Sequence, residues 1–141
     1  MLIHANIELM SSKLVYPELS YRIVGILFEV HTSLGNRYQE KYYQRAVAIK
    51  LNKNNISYKR EIPVDLFIDE EKIGKYFLDF LIDDKVVLEL KAKKCFSKHD
   101  YRQVRGYLKA TNLKLGILAN FYGESLEYKR VLNSDTASKL A

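Results

Sequence analysis

The chain predicts an α/β fold, a mixed β-sheet flanked by helices in the order α-α-β-β-β-α-β, with one further strand to close it. Three features point there. Leu19, Ile23, Ile26, Leu27, Val30 and Leu34 recur at helical spacing. Two apolar runs, Tyr76–Ile82 and Val86–Ala92, flank the polar break Asp83-Asp84-Lys85 in the manner of a β-hairpin. Lys98 to Thr111 then reads as an amphipathic helix, followed by the short apolar run Leu113–Asn120.

Taken in order, Pro17 and Glu18 open the first helix, since proline suits the first turn and an acid suits the positive end of the dipole. Gly35 supplies its stop. A second helix is expected from about Arg37 to Lys53, broken by Asn54-Asn55. Ile56–Ile68 reads as a strand in which Pro63 marks an edge or a bulge. Gly74 reads as a turn glycine ahead of the hairpin. Ser97 is placed to cap the third helix, and Leu126–Leu132 is the added edge strand.

With 141 residues and 48% hydrophobic composition, the chain is expected to form one domain over 1–141. Its core should span about 17–132, with the ends 1–16 and 133–141 less committed to it. No apolar stretch is long enough to span a bilayer, and no secretory signal pattern opens the chain. A single cysteine, Cys95, excludes an internal disulfide framework and fits a reducing, cytoplasmic setting. Three histidines and one cysteine, well scattered, offer no zinc-ligand spacing. A net charge of +6 favours polyanionic partners.

The chemistry concentrates in the hairpin. If Ile82 pairs with Val86, Asp79 falls directly opposite Glu89, with Cβ atoms roughly 4.5–5.5 Å apart. Lys91 shares the face of Glu89, because side chains alternate along a strand. Two carboxylates and a lysine in otherwise apolar strands invite a hard cation such as Mg²⁺, which takes one or two carboxylates plus waters and phosphate oxygens. A cross-strand ion pair on a solvated face is the plainer reading of the same residues. In the second helix Glu40, Tyr43, Val47 and Leu51 share one face. Glu40 there is either a dipole-stabilising acid of the first turn or a carboxylate reaching a cation at the sheet; a metal at the hairpin favours the second. In the third helix Lys98, Arg102, Arg105 and Lys109 form a basic stripe without an interleaved acid. That stripe is a solvated face or a track for a phosphate backbone. Gln103 and Tyr107 lie one turn apart on the other flank of the apolar stripe Tyr101, Val104, Leu108.

Asp79-x9-Glu89-x-Lys91 on a hairpin, preceded by a helical acid and followed by a helix and a strand, resembles the PD-(D/E)XK nuclease superfamily, and within it the GxxExxY family. The likeness runs from about Leu19 to Leu132. It is carried by the ordered series His31-Thr32-Ser33-Leu34-Gly35, Glu40 with Tyr43, Leu78-Asp79, Glu89-Leu90-Lys91, Gln103 with Tyr107, and Leu115–Phe121. Arg37 stands where the family name has glycine, and Leu78 where the superfamily name has proline. Neither change removes a group the chemistry needs. The resemblance implies a restriction-endonuclease-like fold and metal-dependent hydrolysis of phosphodiester bonds, in DNA rather than RNA. It implies Mg²⁺ or Mn²⁺ on Asp79, Glu89 and the Leu90 carbonyl, with Glu40 touching the ion directly or through water. Lys91 would serve the attacking water and the scissile phosphate, and Gln103 and Tyr107 would position the substrate strand. A rival expectation is a nucleic-acid-binding or oligomeric module that keeps the fold without the chemistry. Selectivity in so small a chain would come from a homodimer or a protein partner.

Overall fold

The structure, a computed structural model, describes residues 15–133; the remaining residues of the two chain ends lie outside it. The elements are α1 (Pro17–Leu34), α2 (Glu40–Lys53), β1 (Tyr58–Ile68), β2 (Glu71–Ile82), β3 (Val86–Lys91), α3 (Lys98–Thr111), β4 (Leu115–Asn120) and β5 (Glu127–Leu132). This is the expected order, with the closing strand present. They form a five-stranded sheet in the order β1-β2-β3-β4-β5, in which β3 and β4 run parallel and the other neighbours antiparallel. The parallel pair is the one joined through a helix, α3, as such a pair requires.

Helices cover both faces. α1 and α2 pack Ile23, Leu27, Val30, Tyr43, Val47 and Leu51 over Phe80, Ile82, Val86, Leu88, Leu90, Leu115 and Ile117. On the other face, Val104, Tyr107 and Leu108 of α3 lie over Leu78, Val87, Leu118 and Val131. Central strands β3 and β4 are buried almost throughout and read as continuous apolar runs for that reason. Val15 and Asn133 are buried as well, so the described margins belong to the body of the protein rather than standing apart from it.

Local chemistry sets the boundaries. α1 begins with Pro17 in its first turn and ends at Gly35, whose φ of 69° is left-handed. α2 begins at Glu40, later than the expected Arg37. The intervening turn is held by Tyr43, whose hydroxyl donates to the Gly35 carbonyl (2.6 Å) and accepts from the Tyr38 N–H (3.3 Å). Arg37 keeps a negative φ, so the glycine of the family name is not needed for the backbone here. Ser97 and Asp100 form a reciprocal capping box at α3.

Gly74 is not in a turn: it lies within β2 opposite Leu66, beside a register shift at Leu66/Phe67. The turn itself is Asp69-Glu70, both at positive φ, the geometry that a tight hairpin demands of its two central residues. Acidic residues there carry none of the usual Asn-Gly signal, which is why the glycine misled.

The hairpin register is the expected one. Ile82 pairs with Val86, Leu81 with Val87 and Phe80 with Leu88. Pairing stops there, and β2 continues alongside β1 while β3 continues alongside β4. The sheet is therefore forked at Asp79 and Glu89. β1 changes at the same level: Arg60 pairs with Phe80 and Ile62 with Leu78, but Glu61 and Asp79 between them form no pair, and Glu61 has φ of 52°. Across this point side chains change layer. Phe80 and Ile82 lie under α1 and α2, whereas Leu78, which regular strand alternation would put on the same face, lies on the α3 side with Val87.

Candidate active site

Asp79 and Glu89 face each other across the mouth of the fork and take over the hydrogen bonds the ladder gives up. The Asp79 N–H donates to Glu89 Oε1 (2.8 Å), and the Leu90 N–H donates to Asp79 Oδ2 (2.7 Å). Each carboxylate thus holds the other strand's backbone. In a strand a residue's carbonyl leaves on the same side as its N–H, so the Leu90 carbonyl also faces the fork. Lys91 Nζ stands 4.0 Å from Glu89 Oε2, with most of its side chain covered.

α2 reaches the fork through a residue that sequence reading missed. Gln44 Nε2 donates to Asp79 Oδ1 (3.1 Å) and approaches Glu40 Oε2 (3.5 Å). Glu40 is brought to the site, but through this amide rather than onto the other two acids. The available signal was the spacing of Glu40 and Gln44, one turn apart on the same face of α2.

The electrostatics follow from burial. Glu89 is 3% exposed. Burial pushes its carboxyl up to about 8, the Asp79 charge adding to this while the Asp79 N–H and Lys91 oppose it. Burial also pushes Asp79 up to about 6, against the Leu90 N–H, Lys91 and Arg60. Glu40 is raised for the same first reason, with Lys91 and Lys93 pulling it back. Two adjacent acids that resist ionising together form a site short of positive charge.

Among the described residues no group of three or more His, Cys, Asp and Glu side chains is arranged to hold a metal ion. The donor set is a carboxylate pair with a backbone carbonyl at hand. Those are hard oxygen donors, and a pair is within what Mg²⁺ accepts when waters and phosphate oxygens complete its shell. The residues present fit such an ion.

On the α3 side, Lys98, Arg102, Arg105 and Lys109 are all exposed. Arg102 and Gln103 line a groove of about 480 Å³ with Val64, Tyr76 and His99. Tyr107 is 5% exposed and part of the core. Tyr76, another residue missed, ties this face to the fork: its hydroxyl donates to the Gln103 carbonyl (3.4 Å), and burial, the Glu89 charge and Tyr107 all raise its pKa. Arg60 was also missed. Its Nε is buried without a hydrogen-bond partner among the described residues, and its guanidinium lies 5.2 Å from the Phe80 ring centre.

A fork in a mixed sheet, opened by two buried acids beside a lysine, is the arrangement on which the comparisons bear. The family model of the PD-(D/E)XK nuclease superfamily matches residues 17–131, and the chain belongs to that superfamily. No curated protein matches it. Among solved structures it is similar to the crystal structure of SSO0001, at 18% identity and a TM-score of 0.53, a likeness of fold. The match covers 71% of this chain and 53% of that one, so the chain spans about half the length of that protein. No helix among the described residues is long and apolar enough to cross a membrane.

Proposed function

We propose that the protein is a metal-dependent nuclease of the GxxExxY branch, hydrolysing phosphodiester bonds in DNA. The observation that carries this reading is the buried pair Asp79 and Glu89 at the fork, with Lys91 beside it. Asp79, Glu89 and the Leu90 carbonyl would hold Mg²⁺ or Mn²⁺. When bound, such an ion supplies Lewis-acid polarisation of the scissile phosphate and offsets its charge.

The chain's own groups account for the rest. Lys91, 4.0 Å from Glu89, would donate from its ammonium to a phosphate oxygen and to the attacking water. Glu40, reaching Asp79 through Gln44, orders the solvent side of the pair. The exposed cations Lys98, Arg102, Arg105 and Lys109 track the phosphate backbone. Gln103 lines the neighbouring groove and Tyr107 supports it from the core, so of these two only Gln103 meets the strand.

The test is cleavage of DNA and RNA of mixed structure with Mg²⁺, Mn²⁺ or EDTA, comparing wild type with Lys91→Ala and Glu89→Gln. Metal-dependent cutting that is lost in both variants is the expected result. Absence of cutting by wild type, with nucleic-acid binding intact and indifferent to both changes, would make the protein a binding module on an inherited nuclease fold.

A further inference from the structure

The face of α2 turned away from the fork carries a feature the hydrolytic site does not use. Tyr42, Arg45 and Ile49 follow at spacings of three and four on one stripe of α2, and Tyr38, in the turn just before the helix, sets its ring at the head of that stripe. With Leu34 and Ala46 they line a groove of about 490 Å³. Tyr38 is 49% and Tyr42 is 42% exposed, and their rings meet edge to face at 6.1 Å. Lys41 Nζ stands 5.2 Å from the centre of the Tyr42 ring and the Arg45 guanidinium 5.7 Å. Neither cation forms an ion pair among the described residues, whereas Lys50 farther along is engaged with Glu29.

The arrangement is also directional. At about 100° per residue, the order around α2 is Glu40, Gln44, Lys41, Arg45, Tyr42. Two cations without an acid partner among the described residues therefore lie between the acids of the fork and the tyrosine groove. A chain of phosphates leaving the fork would cross Lys41 and Arg45 and deliver a base to the rings. Helix diameter with side chains is about 10–12 Å, a distance a few nucleotides span. Stacking needs an open base face, which a duplex does not offer.

We propose that Tyr38 and Tyr42, with Lys41 and Arg45, form a stacking platform for an unpaired strand, so that the protein engages single-stranded or single-strand-tailed nucleic acid. The direction of the strand rests on the nuclease reading of the fork; the platform itself does not.

The test is fluorescence anisotropy of the full chain in EDTA with labelled oligothymidylate and with a blunt duplex. Tyr38→Ala with Tyr42→Ala should weaken binding to the single strand by roughly ten-fold or more, while duplex binding changes less than about two-fold. Tyr42→Phe, which keeps the ring, should bind as wild type. Unchanged single-strand binding in the double alanine variant overturns the proposal. So does a shift of that variant from dimer to monomer in sedimentation without loss of binding, which would assign the stripe to a second copy of the chain. Cleavage with Mg²⁺ is scored separately. Loss of single-strand binding in a protein that does not cut keeps the platform and removes the nuclease; unchanged binding in a protein that cuts does the reverse.

Discussion

Glu89 and Asp100 are two carboxylates buried almost equally, at 3% and 2% exposure, and their surroundings treat them in opposite ways. Asp100 closes the capping box of α3: its side chain accepts from the Ser97 N–H (2.8 Å) and hydroxyl (3.1 Å), and Lys93 pairs with it. Burial alone would raise its acid, but the bonds from Lys93 and Ser97 outweigh it and hold Asp100 below the usual carboxylate range. Glu89 has one backbone N–H, a lysine at 4.0 Å and a second acid across the fork, and it is pushed the other way. A buried acid that is fully matched serves the fold. One left short of positive charge is available to a ligand that brings it.

The contrast breaks first at the chemistry. Lys91→Ala and Glu89→Gln should each lower single-turnover cleavage by about 10²–10⁴-fold, the range found when a proton-transfer or charge-stabilising group is removed. Asp100→Asn should leave the rate within a few-fold. A rate loss for Asp100→Asn as large as that for Glu89→Gln would dissolve the distinction.

Stability should reverse the order. Asp100→Asn leaves Lys93 without its partner and weakens a cap, costing about 1–2 kcal/mol in urea unfolding. Glu89→Gln removes a buried charge and should be neutral or stabilising in EDTA at pH 9. A Glu89→Gln protein that unfolds more readily than Asp100→Asn under those conditions would mean the pair is structural.

The pH dependence sharpens the same point with a sign. Asp79 and Glu89 have folded pKa values of about 6 and about 8, above the ordinary values near 4 expected in the unfolded chain. Between about pH 4 and 8 the folded state holds the extra protons. Their contribution is complete below the unfolded value and is lost as pH rises through the folded ones. Metal-free melting temperature should therefore fall from pH 6 to 9, and Glu89→Gln should flatten that fall. Asp100, lowered rather than raised, contributes above its unfolded value and loses this only in acid.

The smallest effect is expected at Gln44. Gln44→Ala removes the amide between Glu40 and Asp79 and should change cleavage by only a few-fold, while moving the apparent Mg²⁺ requirement. A metal titration of cleavage by wild type and variant separates this from a loss of folding.

Much of the fold was legible because it rests on short-range rules. Helical spacing in 19–34, the capping residues Pro17 and Ser97, and the two strands around Asp83-Asp84-Lys85 are statements about neighbours in the chain. Hairpin register follows from loop length, so the residue order alone sets Phe80 opposite Leu88 and brings Asp79 and Glu89 to the next level, where the ladder itself has already ended. Gln44, Tyr76 and Arg60 were not legible in this way. Gln44 looks like any polar residue of a helix until α2 is docked beside the fork, and Tyr76 joins α3 to Glu89 only once β2 has left β3.

By itself, then, the sequence determined the element order, the hairpin register and the convergence of two acids and a lysine, since each depends on backbone periodicity and on contacts close along the chain. Tertiary structure decided the rest. It set where the ladder stops, how Leu78 changes layers beside a left-handed Glu61, and that Glu40 comes to Asp79 through an amide. It also decided which buried acid is matched and which is not, because desolvation and charge depend on what packs around a group rather than on what precedes it in the chain.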